Sequence, residues 1–183
     1  MAKTALVPIA DGTEEIEAIT IIDVLRRGGV QVMAASVGHL QVTASRSVRI
    51  TADRLIGDCL GETYDLIALP GGLPGAEHLR DCKPLIEMLR KQKAEGRLYA
   101  AVCASPAYVF ATHGLIDDRK ATGYPSTMDQ LPNRQDGRVV VDGTCITSQG
   151  PGTAMEFALE LVRQLCGQAT AEKTAAAMVT SMP

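Results

Sequence analysis

Short apolar runs rich in Val, Ile, Leu and Ala alternate along this chain with longer stretches whose apolar residues recur every three or four positions. That alternation constrains the fold more than any other feature. Ala5-Leu6-Val7-Pro8-Ile9 reads as a strand, and 14–27 as a helix closed by Arg26-Arg27-Gly28-Gly29. A second strand covers 30–36, and 40–50 reads as a hairpin-like excursion. Next come a buried strand over 65–69, a helix over 83–95, a strand over 98–102 and a helix over about 106–113. Short strands near 119–122, 138–141 and 144–148 follow, then helices near 153–166 and 170–179. Strands that are apolar on both sides and separated by helices predict a mostly parallel central sheet flanked by helices. No repeat or Pro/Gly/Ser-rich linker divides the 183 residues, so a single domain over 1–183 is expected. Ligands of such sheets bind at the carboxyl ends of the strands, near a reversal of strand order. The informative turns are therefore Asp11-Gly12-Thr13-Glu14, Gly71-Gly72-Leu73-Pro74-Gly75, Cys103-Ala104-Ser105-Pro106 and Gln149-Gly150-Pro151-Gly152-Thr153.

Composition removes several function classes. With 18 Lys and Arg against 21 Asp and Glu, the formal charge of −3 provides no field for phosphate backbones, so charge-driven nucleic-acid binding is not expected. The longest apolar stretches fall far short of the roughly 20 residues of a membrane span. Met1-Ala2-Lys3-Thr4 has no signal-peptide character, so a cytoplasmic protein is expected. The five cysteines stand singly, without a CxxC pair and without neighbouring histidines, so no metal site is expected. No glycine turn completes a GxGxxG or P-loop pattern.

Cys103 stands out by position. It ends a buried strand among small residues, and Pro106 begins the next helix with Ser105 as a possible N-cap. Unpaired amides and the positive dipole end at such a place favour a thiolate, drawing a thiol from about 8.5 toward roughly 3.5–7.5. Ala101-Val102-Cys103-Ala104-Ser105 follows the logic of the G-x-S-x-G nucleophile elbow. The same residues also fit a small buried cysteine with no chemistry. Glu17 presents a similar pair of readings. Helical spacing stacks it with Ile21 and Val24 on the inward stripe, where burial raises a carboxyl pKa and leaves a proton to donate. Alternatively it is a first-turn acid turned to solvent; Glu14 and Glu15 read as first-turn acids that offset the helix dipole. Gly71-Gly72 permits inward amides that, with that of Ala104, could form an oxyanion hole, or is a plain turn. Thr153 and Glu156 read as a capping box, and His39, His78 and His113 as surface or helix-end residues.

Taken together, these turns resemble the ThiJ/PfpI superfamily, and within it the YajL-like branch related to the Parkinson-disease protein deglycase. The resemblance runs through Gly12-Thr13-Glu14-Glu15-Ile16-Glu17, Leu69-Pro70-Gly71-Gly72, Ala100-Ala101-Val102-Cys103-Ala104 and Thr147-Ser148-Gln149-Gly150-Pro151-Gly152-Thr153, in register. It implies a flavodoxin-like α/β sandwich, a homodimer, and no metal or organic cofactor. It also implies Cys103 as nucleophile, Glu17 as the acid bonded to its sulfur, and Gly72 and Ala104 as amide donors. Gly71 belongs to the same turn, and Arg46 and Arg27 correspond to basic residues near the pocket mouth. Tyr124 stands where one branch has histidine, so a Cys–His dyad is not expected. Ala104 replaces the histidine of the protease branch, which argues against peptidase activity. The implied substrates are small α-oxoaldehydes or their adducts with amines and thiols, with oxidation sensing or chaperone action through Cys103 as the alternative.

Overall fold

The computed structural model describes residues 2–182. Nine strands form: β1 (Thr4–Ile9), β2 (Gln31–Ser36), β3 (Gln41–Thr43), β4 (Arg49–Thr51), β5 (Arg54–Leu55), β6 (Leu66–Leu69), β7 (Leu98–Val102), β8 (Val139–Asp142) and β9 (Cys145–Ser148). Five α-helices accompany them: α1 (Glu15–Arg27), α2 (Gly75–Asp81), α3 (Lys83–Ala94), α4 (Ala154–Cys166) and α5 (Gln168–Ala177). Seven strands make the central sheet in the order β5-β2-β1-β6-β7-β9-β8. All its pairs are parallel except β8 with β9. β3 and β4 form a separate antiparallel hairpin, as the sequence predicts.

Continuous apolar strands arise because both faces of the sheet are covered. In β1, Ala5, Val7 and Ile9 belong to a core with Ile21 and Val24 of α1 and Phe157, Leu161 and Val162 of α4. Leu6 points the other way, into a second core with Ile67, Leu69, Tyr99, Ala101 and Leu85 and Leu89 of α3. The period of two along a strand thus divides one apolar run between two layers. Tyr99 and Phe110 meet edge to face with centroids 5.3 Å apart, and the Tyr99 hydroxyl donates to the Leu115 carbonyl.

The chain leads from β1 outward to β2 and from β6 in the opposite direction to β7, so strand order reverses between β1 and β6. The crevice of an open parallel sheet lies at such a point. Several local expectations are corrected. The helix expected over about 106–113 is a short π-type turn, Pro106–Ala111, and α2 precedes α3 as an additional helix. Near 119–122 only an isolated bridge, Ala121 with Arg134, forms, because the polar run 117–120 has no apolar alternation to bury. Ser105 does not cap with its side chain; its hydroxyl donates to the Pro70 carbonyl at 2.6 Å and ties two loops together. Nor do Thr153 and Glu156 form a capping box around α4: Thr153 Oγ1 bonds Ser148 and Gly150, and Glu156 pairs with Arg138. Phe157 is fully buried between α4 and the sheet. Phe157→Ala is expected to lower unfolding stability by about 3–5 kcal/mol, read from the denaturant midpoint at unchanged m-value.

Candidate active site

Three loops from the carboxyl ends of β1, β6 and β7 converge at the reversal point. Glu14 N donates to the Gly71 carbonyl at 2.9 Å, linking the first two, and Ser105 links the second to the third. Glu14 also caps α1, its Oε2 accepting from Glu17 N at 2.8 Å. One turn into that helix, Glu17 is wholly buried, settling the two readings of its helical position in favour of the inward one.

Cys103 is the elbow between β7 and the Pro106–Ala111 turn. Its φ is +65, in the left-handed region that a non-glycine residue enters at a cost of about 1–2 kcal/mol. Two backbone hydrogen bonds hold it there: Cys103 N donates to the Ser148 carbonyl at 3.0 Å, and Tyr124 N to the Cys103 carbonyl at 2.7 Å. This is the sharp turn that small neighbours permit. A Cβ on Gly71 would stand 2.7 Å from Cys103 Cβ, and one on Gly72, with φ at +87, would stand 2.4 Å from Glu14 N. Both glycines are required by the close approach of the loops.

The buried carboxyl and the thiol meet across this turn. Glu17 Oε2 accepts from Gly71 N at 2.7 Å, and Oε1 is buried with no hydrogen-bond partner among the described residues. Burial pushes the Glu17 carboxyl up to about 7, opposed by the Gly71 amide and the Cys103 thiol. The expectation that backbone dipoles set the thiol low meets a counterforce. Burial, then the Glu17 charge and hydrogen bond, push Cys103 up to about 12, while the amides of Gly72 and Ala104 pull it down. The two contributions from Glu17 exist only while that carboxyl is ionised. Once it holds a proton it becomes a donor to sulfur, so the two groups titrate as one pair.

Above the sulfur lies a cavity of about 440 Å³, walled in part by Arg46, Gly72, Ala104, Tyr108, Tyr124 and Gln130. Cys103 retains 7% exposure toward it, whereas Cys59 and Cys145 are sealed in the core. Arg46 reaches the cavity because the β3–β4 hairpin is fastened to the first loop. Gly12 N donates to the Thr43 carbonyl, and Glu15 accepts from Ser45 Oγ and Arg46 N, each at 2.7 Å. Glu15, in the first turn as expected, therefore does more than offset the helix dipole. Burial works against its charge, yet these bonds, Ser45 first, hold it below the usual carboxylate range.

Arg27 is corrected: it pairs with Asp23 at the far end of α1 and lines a different cleft, beside Ala169 and Lys173. The histidines also lie elsewhere, His78 against the Asp11 carbonyl and His113 against the Arg80 carbonyl. Among the described residues no group of three or more His, Cys, Asp and Glu side chains is placed to hold a metal. Reading the sequence missed Ser126, Thr127 and Gln130, which line the cavity from the 3-10 turn Pro125–Gln130; their only signal was adjacency to Tyr124-Pro125.

A cysteine on a strained elbow, facing two amides and a buried acid at a sheet reversal, defines a class of α/β proteins built around one thiol. The sequence pattern of the DJ-1/PfpI family matches residues 3–164. This chain belongs to that family. It is 47% identical over 181 residues to Protein DJ-1 homolog B of Arabidopsis thaliana, a match covering 97% of this chain and 41% of that protein, so it spans less than half that relative's length. It is 38% identical over 170 residues to the Glutathione-independent glyoxalase DJR-1.2 of Caenorhabditis elegans, covering 90% of each. The structure of Toxoplasma gondii DJ-1 in its oxidized form superposes with a TM-score of 0.96 at 50% identity, covering 98% of this chain and 99% of that one.

The raised Glu17 pKa has a signed consequence for stability. Below about 4.5 the carboxyl is protonated whether folded or unfolded, and its contribution is fully present. As pH rises toward about 7, only the unfolded chain releases the proton, and stability is lost. Wild type is therefore expected to lose about 3 kcal/mol relative to Glu17→Gln between pH 4.5 and 8, at about 1.4 kcal/mol for each pH unit between the unfolded and folded ionisations. Urea denaturation of both proteins across that range measures it; parallel pH profiles would refute the assignment.

Proposed function

We propose that the protein is a cysteine-dependent, cofactor-free glyoxalase or deglycase-type enzyme acting on α-oxoaldehydes such as methylglyoxal and glyoxal, or on their early adducts with amines and thiols. The observation supporting this reading is the convergence of an elbow thiol, two inward amides and a buried acid beneath one cavity. The relative named a glutathione-independent glyoxalase adds to it.

The chemistry balances without an outside oxidant. The Cys103 sulfur attacks the aldehyde carbon, forming a C–S bond as the carbonyl electron pair moves onto oxygen. The Gly72 and Ala104 amides stabilise that oxyanion, which takes the proton held by the Glu17–Cys103 pair and becomes a hemithioacetal. The Glu17 carboxylate then removes the C1 hydrogen as a proton, giving an enediol, and a proton returned to C2 leaves a thioester. Water hydrolyses it to the 2-hydroxy acid and free thiol. C1 is oxidised, C2 is reduced, and water is the only co-reactant. Tyr124 can donate a hydrogen bond to a substrate oxygen.

Purified protein is expected to form lactate from methylglyoxal, with turnover abolished in Cys103→Ala and kcat/KM reduced about 10²- to 10⁴-fold in Glu17→Gln. Equal rates for wild type and Cys103→Ala would overturn the assignment. Deglycase action requires amine release faster than scavenging of free aldehyde explains.

A second reading, an oxidative-stress sensor or redox-regulated chaperone, is supported by the cavity exposure of Cys103. A sulfinate there accepts from the Gly72 and Ala104 amides and from a protonated Glu17. Mass spectrometry after mild peroxide is expected to find Cys103 modified before the partly exposed Cys82 and Cys166. The reverse order removes the sensor's basis. Homodimer formation is part of the same proposal, supported by Ile16 and Ile19, which leave apolar side chains of α1 exposed. So is a cytoplasmic location; among the described residues no helix is long and apolar enough to cross a membrane.

A further inference from the structure

We propose that the preferred substrates are 2-oxoaldehydes carrying a neutral, hydroxylated tail of about four carbons, the kind formed when hexoses lose water, rather than methylglyoxal itself. This inference rests on the aldehyde chemistry proposed above and concerns the part of the cavity that a three-carbon substrate leaves unfilled. Methylglyoxal takes up on the order of 100 Å³, about three water volumes of roughly 30 Å³ each. The cavity is about 440 Å³.

The cavity walls have a distinct chemistry. Tyr108, Tyr124, Ser126 and Gln130 are among their residues, and among the described residues none of these four side chains makes a hydrogen bond to the protein. Two phenols, a hydroxyl and a carboxamide are neutral groups, each able both to donate and to accept, and so match the alternating needs of a row of alcohols. Tyr124, Ser126 and Gln130 are exposed, so beside a methyl group they keep their bonds to water, whereas a row of alcohols can take the place of that water. Charge is scarce on these walls. Their charged side chains are one of each sign: the Glu14 carboxylate is engaged at the start of α1, and Arg46 Nη1 donates to the Ser45 carbonyl at 3.2 Å. That disfavours a multiply charged tail.

The wall is also held at a set offset from the sulfur. Tyr124 N donates to the Cys103 carbonyl, and both N and Oγ1 of Thr127 donate to the Tyr124 carbonyl, at 2.8 and 2.9 Å. A substrate attacked at C1 by Cys103 therefore lays its later carbons along the Tyr124–Gln130 turn. The internal redox is the one already written: C1 becomes the carboxylate, C2 the alcohol, and water is consumed, with the tail unchanged.

The test compares 3-deoxyglucosone with methylglyoxal in wild type and in the Ser126→Ala/Gln130→Ala double variant. Wild type is expected to favour 3-deoxyglucosone at least tenfold in kcat/KM. In the double variant that ratio is expected to fall about tenfold or more, the scale of two neutral hydrogen bonds. A wild-type ratio below one, or the same ratio in both proteins, overturns the proposal. Calorimetric titration of Cys103→Ala provides a readout free of turnover: 3-deoxyglucosone binding at least tenfold tighter than methylglyoxal supports recognition of the tail, and equal binding overturns it. Selective binding in that titration, together with no Cys103-dependent turnover of either aldehyde by wild type, would refute the enzymatic reading while leaving the hydroxyl-recognising wall in place.

Discussion

The site depends on a carboxyl group that has no water to ionise into. Glu17 is carried into the interior by the inward stripe of α1 and meets two groups there, the Gly71 amide, which donates to Oε2, and the Cys103 thiol. An amide alone does not balance the desolvation of a carboxylate, so the group favours its proton up to neutral pH. The Cys103 thiol lies against the same carboxyl, so the protons of the two groups are shared and lost as those of a pair. Burial pushes all five cysteines of this chain upward, and Cys103 differs from the others in its partners rather than in its depth.

Bringing these partners together is the work of the sheet. Parallel strands deliver their carboxyl ends to one edge, and the reversal between β1 and β6 opens a gap there that no crossover helix fills. Three loops enter the gap at distances that exclude even a methyl group at Gly71 and Gly72. The strain of the Cys103 backbone is held by hydrogen bonds from two further segments, the end of β9 and the residue before the Pro125–Gln130 turn. Cys103 is thus positioned by five separate stretches of chain, which makes its geometry stiff and its cavity wall part of the same framework.

Much of this was legible before any fold. The strand–helix alternation identified the parallel sheet because burial on both faces demands unbroken apolar strands, and the small residues around Cys103 marked an elbow because nothing larger fits one. Glu17 was readable as inward from its phase with Ile21 and Val24. Other features were not. Glu15 has the same local pattern as any first-turn acid, and only the hairpin that folds onto it shows that it is the anchor for Ser45 and Arg46. Arg27 matched a basic position by its place in the order of residues, yet helix geometry carries it to the far end of α1. Ser105 and Thr153 satisfied the local rules for caps and were claimed instead by tertiary partners, Pro70 and Ser148.

Periodicity, turn chemistry and residue size act between neighbours in the chain. By themselves they determined the layered α/β plan, marked Cys103 in the turn after the fourth apolar strand of that plan, and offered the inward phase as one of two readings for the acid on the first helix. Which protonation the acid and the thiol share, which amides face the sulfur, and which hydroxyls line the space above it depend on distances between segments remote from one another in sequence. Those distances are decided only when the sheet closes its order, because desolvation and hydrogen bonding respond to every atom nearby and not to the chain that carries it.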